Sequence, residues 1–204
     1  MAWFTKNECM SKQISSFWRG LAVLIWTGWV ATAMPVCGEE NLVRNGELAG
    51  GSSKGVPEWS FKTAHKETFK NGWKPNPGGM GGMVFITCMA ADEKGGNEWW
   101  WQQVECESGR EFLLTVEARS EGSEHKAEIG VELIGGEKNY EYKRIATVAD
   151  TQANAPQKYS APDWKEFSGK FMVPAGVTKV NVRLGLMSKD AAEAGYRNVR
   201  LEKR

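Results

Sequence analysis

Apolar and polar residues alternate along much of the chain, most clearly between residues 98 and 119. Every second residue from Phe112 to Ala118 is apolar, and three consecutive tryptophans lead the segment before it. A period of two buries one side of an extended segment and exposes the other. The pattern therefore predicts two antiparallel strands, paired with each other and joined by a tight turn at Ser108-Gly109.

The parity of the first of these strands decides where its tryptophans point. If Val104 and Cys106 face inward, Trp100 faces the core, and Trp99 and Trp101 face outward together. Side chains two residues apart on a strand lie about 7 Å from each other, a spacing that suits stacking on flat ligands such as sugar rings. Tryptophans packed beneath a neighbouring loop would leave the same pattern, so both interpretations stand.

The same alternation predicts further strands at 83–88, 127–134, 139–148, 164–173 and 179–187. Glycine and proline turns separate them, and no segment has a helical period over more than one or two turns. The polar segment 149–163 carries two prolines and no periodicity, which indicates a surface loop. Many short strands with such turns predict an all-β fold, an antiparallel β-sandwich.

The N-terminal part has a different composition. Basic residues precede an apolar run at 21–33, which is too short to span a membrane as a helix and typical of a signal peptide. We expect cleavage after Ala33 or Gly38, which leaves a single exported domain at 39–204, secreted or periplasmic and without a membrane span. An uncleaved anchor is the alternative, and Met10 is a second candidate start.

The net charge and the sequence motifs argue against two classes of function. The 204 residues carry a formal net charge of +1 with both signs interspersed, so a nucleic-acid-binding surface is not expected. There are two histidines, neither in a recognised nucleophile setting, and G-x-S-x-G does not occur. The chain is therefore not predicted to be an enzyme. Acidic residues are numerous enough that a small glycan-active enzyme with a carboxylate pair remains a third hypothesis.

Two cysteines fall within the expected mature domain. Cys88 and Cys106 each close a predicted strand with inward parity. Adjacent antiparallel strands would bring them together, and an exported compartment permits a disulfide. Two buried thiols are the alternative. No Cys-x-x-Cys or Cys/His cluster accompanies them, so a metal site is not predicted from these residues.

Several segments in order resemble carbohydrate-binding modules of the family 4, 9 and 22 type, which are galactose-binding-domain-like jelly rolls. The resemblance implies a non-catalytic module that binds a polysaccharide or oligosaccharide. It covers nearly the whole of 39–204. The segments are N-L-V-R-N-G-E-L at 41–48, P-E-W at 57–59, M-V-F-I-T-C at 83–88, the tryptophan segment and its successor at 99–121, and the closing segments 163–186 and 195–204.

The candidate ligand-binding residues follow from this resemblance and from strand parity. Aromatic platforms would stack on sugar rings, and side-chain donors would bind hydroxyl groups. A structural or protein-binding jelly roll of the cell envelope is the alternative, with the same aromatic residues facing a protein partner. The candidates are Trp99, Trp101, Tyr140 and Tyr142 as platforms, Gln103 and Arg119 as donors, and Trp73 from the loop at 71–82.

The resemblance also implies a structural calcium ion between an acid near the opening motif and an aspartate in the closing one. Glu47 matches the first, but the closing segment has Arg197 where the aspartate would be, followed by Asn198. A guanidinium near Glu47 would repel the ion and replace it with an ion pair. We therefore expect no cofactor, although a calcium ion bound by backbone carbonyl groups alone is the alternative.

Overall fold

The computed structural model describes residues 40–77, 80–89, 95–122, 125–149 and 161–204. The predicted signal peptide and most of the predicted loop at 149–163 lie outside these ranges. No helix within them is long and apolar enough to cross a membrane. The strands are β1 (Ser60–Lys62), β2 (Phe69–Pro75), β3 (Gly82–Cys88), β4 (Gly96–Glu105), β5 (Glu111–Gly122), β6 (His125–Gly135), β7 (Tyr140–Val148), β8 (Ala161–Met172), β9 (Val177–Ser188) and β10 (Ala192–Lys203).

The strands form two antiparallel sheets that pack face to face. The first sheet has the order β1-β4-β9-β6-β7, and the second sheet has the order β2-β3-β10-β5-β8. The core lies between them, where Leu184 and Leu186 of β9 and Leu114 and Val116 of β5 are fully buried. The predicted all-β sandwich is confirmed, and it is of the jelly-roll type.

The predicted pairing of the two strands around Ser108-Gly109 is wrong. β4 pairs with β1 and β9 in the first sheet, whereas β5 pairs with β10 and β8 in the second. The turn thus carries the chain across the core, and the Gly109 N–H donates to the Val173 carbonyl at 2.8 Å, beside the crossing from β8 to β9. Alternation identifies which side of a strand is buried, but not which strand lies next to it.

Of the two alternatives for the cysteines, the buried thiols are found and the disulfide is not. Cys88 and Cys106 are both buried and form no disulfide. Cys88 ends β3 in the second sheet, and Cys106 follows β4 in the first, at the opposite end of that strand from the β3–β4 connection. The extended chain from Gly96 to Cys106 covers roughly 34 Å at about 3.4 Å per residue, so the two thiols lie near opposite ends of the sandwich.

Side-chain amides and a glycine hold the opening motif against the last strand. The Asn41 amide donates to the Val199 carbonyl at 3.1 Å, and its oxygen accepts the Leu201 N–H at 2.9 Å. A Cβ on Gly46 would lie 2.1 Å from the Val199 oxygen, so no larger residue fits there. The N-L-x-x-N-G sequence is therefore structural in this chain.

Gln102 secures the same segment from the first sheet. It is buried on the inner side of β4, as its parity predicts, and only 5% exposed. Its oxygen accepts the Arg44 N–H at 2.8 Å, and its amide donates to the carbonyls of Arg44 at 2.8 Å and Glu58 at 3.1 Å. All of its main hydrogen-bonding capacity is used within the fold, so burial of this amide is not costly.

Trp100 provides a test of the core assignment. Its ring is 1% exposed, and its indole N–H donates to the Phe85 carbonyl across the sandwich at 3.2 Å. We expect Trp100→Ala to lower the free energy of unfolding by about 3–5 kcal/mol in urea denaturation, since the deletion leaves a large cavity. Met172→Ala, at an exposed position of β8, is the control and should change it by less than about 0.5 kcal/mol. Equal effects would contradict the assignment.

The cysteines provide a second test. Burial, with a smaller effect of Glu105, raises the pKa of the Cys106 thiol to about 11, so little thiolate forms at neutral pH. We expect iodoacetamide at pH 8 to leave Cys88 and Cys106 unmodified in the folded protein. In urea without a reductant both should be alkylated, as peptide mass mapping would show. If the peptides that contain Cys88 and Cys106 are alkylated only after reduction, the disulfide is present after all.

Candidate functional site

The outer surface of the first sheet carries most of the predicted ligand-binding residues. The register places Trp101 of β4 opposite Ser60 of β1 and Arg183 of β9, and Trp99 opposite Lys62 and Gly185. Residues opposite each other in a ladder share a face. We call this surface the aromatic face; its residues are Lys62, Trp99, Trp101, Gln103, Glu128, Glu132, Tyr140, Tyr142, Asn181 and Arg183.

The predicted outward parity of the tryptophans is confirmed. Trp99 and Trp101 are partly exposed and Gln103 is exposed, whereas Trp100 and Val104 are buried. The inner residues fill the core between the sheets. Burial of that set of alternate side chains is what holds the other set toward the solvent.

The two outer tryptophans have different surroundings. The Arg183 guanidinium lies 3.6 Å from the centroid of the Trp99 ring, and the Lys62 ammonium lies 4.8 Å from it. These cations come from β9 and β1, the strands on either side of β4. Among the described aromatic residues, Trp101 has no cation–ring or ring–ring contact of this kind. Both rings are partly exposed, and they differ in that two cations lie on Trp99 and, among the described residues, none lies on Trp101.

An ion pair lies at the centre of the aromatic face. Arg183 and Glu132 approach to 2.6 Å, and each side chain is only 12% exposed. Glu132 also accepts hydrogen bonds from the Asn181 amide at 2.9 Å and the Tyr140 hydroxyl at 3.1 Å. Gln103 donates to the Asn181 oxygen at 3.3 Å. This continuous row crosses four strands, and it orients the polar groups beside Trp101.

The Tyr142 side chain lies over the neighbouring strand β6, because Gly130 of that strand has no side chain in the way. A Cβ on Gly130 would lie 2.4 Å from the Tyr142 hydroxyl oxygen. The hydroxyl donates to Glu128 at 3.2 Å. Burial and the charge of Glu128 raise the pKa of Tyr142 to about 12. Burial and Glu132 likewise raise the pKa of Tyr140, so both hydroxyl groups stay protonated as donors.

A cleft opens between the tryptophans and the end of β1. Its volume is about 550 Å³, and its walls include Phe61, Lys62 and Lys66 on one side and Trp99 and Trp101 on another. Glu132 and Asn181 reach it from the central ion-pair network. A smaller hollow of about 330 Å³ borders Gln103 further along β4. The cleft thus combines an apolar platform with amide and charged groups.

Two of the predicted residues lie on the other sheet. Arg119 of β5 binds Glu193 at 2.8 Å, and its guanidinium lies 5.6 Å from the Trp164 ring. Trp73 of β2 is partly buried, and its indole N–H donates to the Leu48 carbonyl at 2.7 Å. The structure brings Trp99, Trp101, Gln103, Tyr140 and Tyr142 together and places these two elsewhere.

The sequence interpretation missed the polar centre of the face. Asn181 and Arg183 alternate with the apolar residues of β9, so their outward parity was visible in the sequence. Glu132 likewise alternates with the apolar residues of β6, so its outward parity was visible as well. Only the pairing of β9 between β4 and β6 shows that these side chains meet the tryptophans.

The residues at the position of the resembled calcium ion do not fit one. Arg197 donates to Glu117 at 2.8 Å and the Asn198 amide donates to the same carboxylate at 2.6 Å. The predicted ion pair between Arg197 and Glu47 is therefore wrong, because β10 brings Arg197 next to Glu117 of β5 instead. Both Arg197 and Asn198 present donors, where a cation requires acceptors. The described residues contain no group of three or more His, Cys, Asp or Glu that could hold a metal ion.

The carboxylates of the aromatic face have a wide backbone spacing and cation partners, and neither feature favours a glycosidase pair. The Cα atoms of Glu128 and Glu132 are four residues apart on β6, roughly 14 Å at about 3.4 Å per residue. Glycoside hydrolysis requires carboxyl groups about 5–9.5 Å apart. Each of these carboxylates is also held by cations, Glu132 by Arg183 at 2.6 Å and Glu128 by Arg144 at 2.7 Å.

No protein-family profile matches the sequence, and no curated protein matches it. Solved structures share its fold. The enzymatically active domain of bacteriophage CBA120 tailspike protein 4 aligns at a TM-score of 0.55 and 14% identity over 80% of this chain, which spans only 21% of that one. A family 61 carbohydrate-binding module in complex with β-1,4-galactotriose aligns at 0.53 and 12% identity, over 81% of this chain and 99% of the module.

A third fold neighbour is the xylan-binding CBM22-1 domain of Paenibacillus barcinonensis. It aligns at a TM-score of 0.51 and 11% identity, over 81% of this chain and 95% of that domain. The likeness to all three structures is one of fold. It agrees with the jelly-roll sandwich that the strand order shows.

The central ion pair yields a prediction about stability. Arg183→Met would leave Glu132 charged and nearly buried without its cation, so we expect a loss of roughly 3 kcal/mol in urea denaturation. The exposed pair Arg200–Glu166, at 3.4 Å, is the control, and Arg200→Met should cost less than about 1 kcal/mol. A negligible effect at Arg183 would show that the pair does not organise the face.

Proposed function

We propose that the chain is an exported, non-catalytic carbohydrate-binding module that binds its glycan on the aromatic face. The observation that carries this proposal is the partly exposed ring of Trp101, which has no described cation on it and lines a cleft with ordered amide groups. Trp101 is the main stacking platform. Gln103 and Asn181 are the nearest groups for ligand hydroxyls.

The chemistry of the cleft suits a sugar. A pyranose ring has an apolar C–H side and a rim of hydroxyl groups. It therefore needs a flat, electron-rich surface below it and hydrogen-bonding groups at its edge. An indole supplies the first, at about 1 kcal/mol per stacked ring by analogy with other aromatic contacts. Amide side chains supply both donors and acceptors for the second.

The affinity should be modest. The cleft is open, and a polar ligand must give up hydrogen bonds to water on binding. With one open platform, a dissociation constant between micromolar and millimolar is expected, roughly 4–8 kcal/mol of binding free energy. Such a module would gain strength by contacting several sugar units of a polymer at once.

The other aromatic residues support this platform. Trp99 is covered by Arg183 and Lys62, so it stabilises the floor of the face rather than the ligand. Tyr140 is exposed and lies at the far edge, where it can contact a longer glycan. Arg119 and Trp73, on the other sheet, have no part in this proposal.

Two further observations favour a binding module. Fold neighbours include a module solved with β-1,4-galactotriose and a xylan-binding domain. The carboxylates Glu128 and Glu132 are paired with cations, and their Cα atoms lie about 14 Å apart along β6. Export is proposed from the apolar run at 21–33 and the cleavage signals that follow it.

The test is a matched pair of tryptophan variants. Trp101→Ala should raise the dissociation constant for a bound polysaccharide at least about fivefold, the loss of about 1 kcal/mol, and thereby remove retention in affinity electrophoresis. Its melting temperature should stay nearly unchanged, because the ring is not in the core. Trp164→Ala, on the outer surface of the second sheet, should leave glycan binding intact.

Two results would contradict the proposal. One is a Trp101→Ala protein that binds glycans as well as the parent does. The other is a parent protein that is retained by no polysaccharide across a broad glycan panel. In the second case a protein partner on the aromatic face becomes the better hypothesis.

A further inference from the structure

The charges around the cleft are not balanced. Most cations of the first sheet's outer surface have a carboxylate partner within 4.0 Å: Arg183 has Glu132, and both Lys126 and Arg144 have Glu128. Lys62 and Lys66 line the cleft. In the ranges that the structure describes, neither of these lysines forms an ion pair with any carboxylate. Two uncompensated positive charges therefore face the ligand.

Glu132, the one carboxylate among the described residues that line the cleft, does not neutralise them. Glu132 is held by Arg183 at 2.6 Å and by two hydrogen bonds. Its charge is therefore matched within the face itself. The whole chain carries a net charge of only +1, so this local excess is a feature of the cleft and not of the protein as a whole.

The lysines stand next to the stacking platform. Lys62 is opposite Trp99 in the ladder, and its ammonium lies 4.8 Å from that ring. Trp101 is two residues further along β4, about 7 Å away. A sugar ring that lies on Trp101 would thus have its edge toward the lysine side of the cleft.

We propose that the ligand is a uronic-acid-containing glycan, with its carboxylate groups bound by Lys62 and Lys66 while a ring stacks on Trp101. This inference rests on the proposed function and names its ligand class. In a uronate the carboxylate is attached at the ring edge and is planar, so the C–H side of the ring remains free to stack. A sulfate ester is tetrahedral and replaces a hydroxyl group that the amides would otherwise bind.

Lysine suits this role because its ammonium is a mobile point charge on a flexible stem. It can follow carboxylates that differ in position from one sugar unit to the next. Attraction at an exposed cleft is screened by salt over a Debye length of about 10 Å at 0.1 M, so binding should weaken as salt is added.

The experiment compares one polymer in two charge states. The full protein is tested by affinity electrophoresis and calorimetry against polygalacturonate, its methyl-esterified counterpart and neutral β-1,4-galactan, at low and high sodium chloride. We expect polygalacturonate to bind at least about fivefold more tightly than the esterified polymer, as two exposed ion pairs would give. Only the charged polymer should lose affinity in high salt.

Charge-matched variants locate the effect. Lys62→Gln/Lys66→Gln should remove the preference, so that polygalacturonate and the esterified polymer bind this variant equally. Lys54→Gln/Lys70→Gln removes the same charge from exposed positions away from the cleft and should preserve the preference. Dextran sulfate, which has sulfate groups and no carboxylate, should bind less well than polygalacturonate.

The outcomes separate this inference from the proposed function. Equal binding of charged and neutral polymers, still abolished by Trp101→Ala, would overturn the uronate inference and leave the binding module standing. Dextran sulfate binding as tightly as polygalacturonate would also overturn it, in favour of unselective polyanion attraction. Failure to bind any polymer would count against the proposed function itself.

Discussion

The packing of two sheets against one core is the constraint on which the other features depend. Each strand can bury only every second side chain, so filling the core with Trp100, Leu184 and Leu186 holds their neighbours at the surface. Trp99, Trp101, Asn181 and Arg183 are those neighbours on β4 and β9. The hydrophobic effect that stabilises the sandwich therefore also assembles an amphipathic surface. Ordering the strands for the core orders this surface as well, so no further chain entropy is lost.

Electrostatics then organises this surface. Two tryptophans alone on a flat sheet would form an exposed apolar patch. Here the Arg183–Glu132 pair is nearly buried, and hydrogen bonds of Asn181, Tyr140 and Gln103 extend it across four strands. The guanidinium lies on Trp99 and not on Trp101. The two rings therefore have different surroundings, a distinction that the identity of the two residues does not contain. Breaking such a pair is costly because the remaining charge has no water to replace its partner.

Hydrogen bonds join the opening and closing segments of the domain. Asn41 and Gly46 bind the last strand in the way their side chains and size require. Arg197 and Asn198, which lie just before Val199 in that strand, bind Glu117 and offer donors where a cation would need acceptors.

The sequence by itself determined the all-β class, the inward and outward parity of β4, and the residues of the core, because a period of two is a local property of the chain. It did not determine that β4 and β5 lie in different sheets, that Cys88 and Cys106 are far apart, or that Arg197 meets Glu117. Tertiary structure decided those points, since a strand's neighbours depend on contacts between residues far apart in sequence. The same is true of the candidate site: Trp101 was visible in the sequence, but the polar network beside it arises only where β9 lies between β4 and β6.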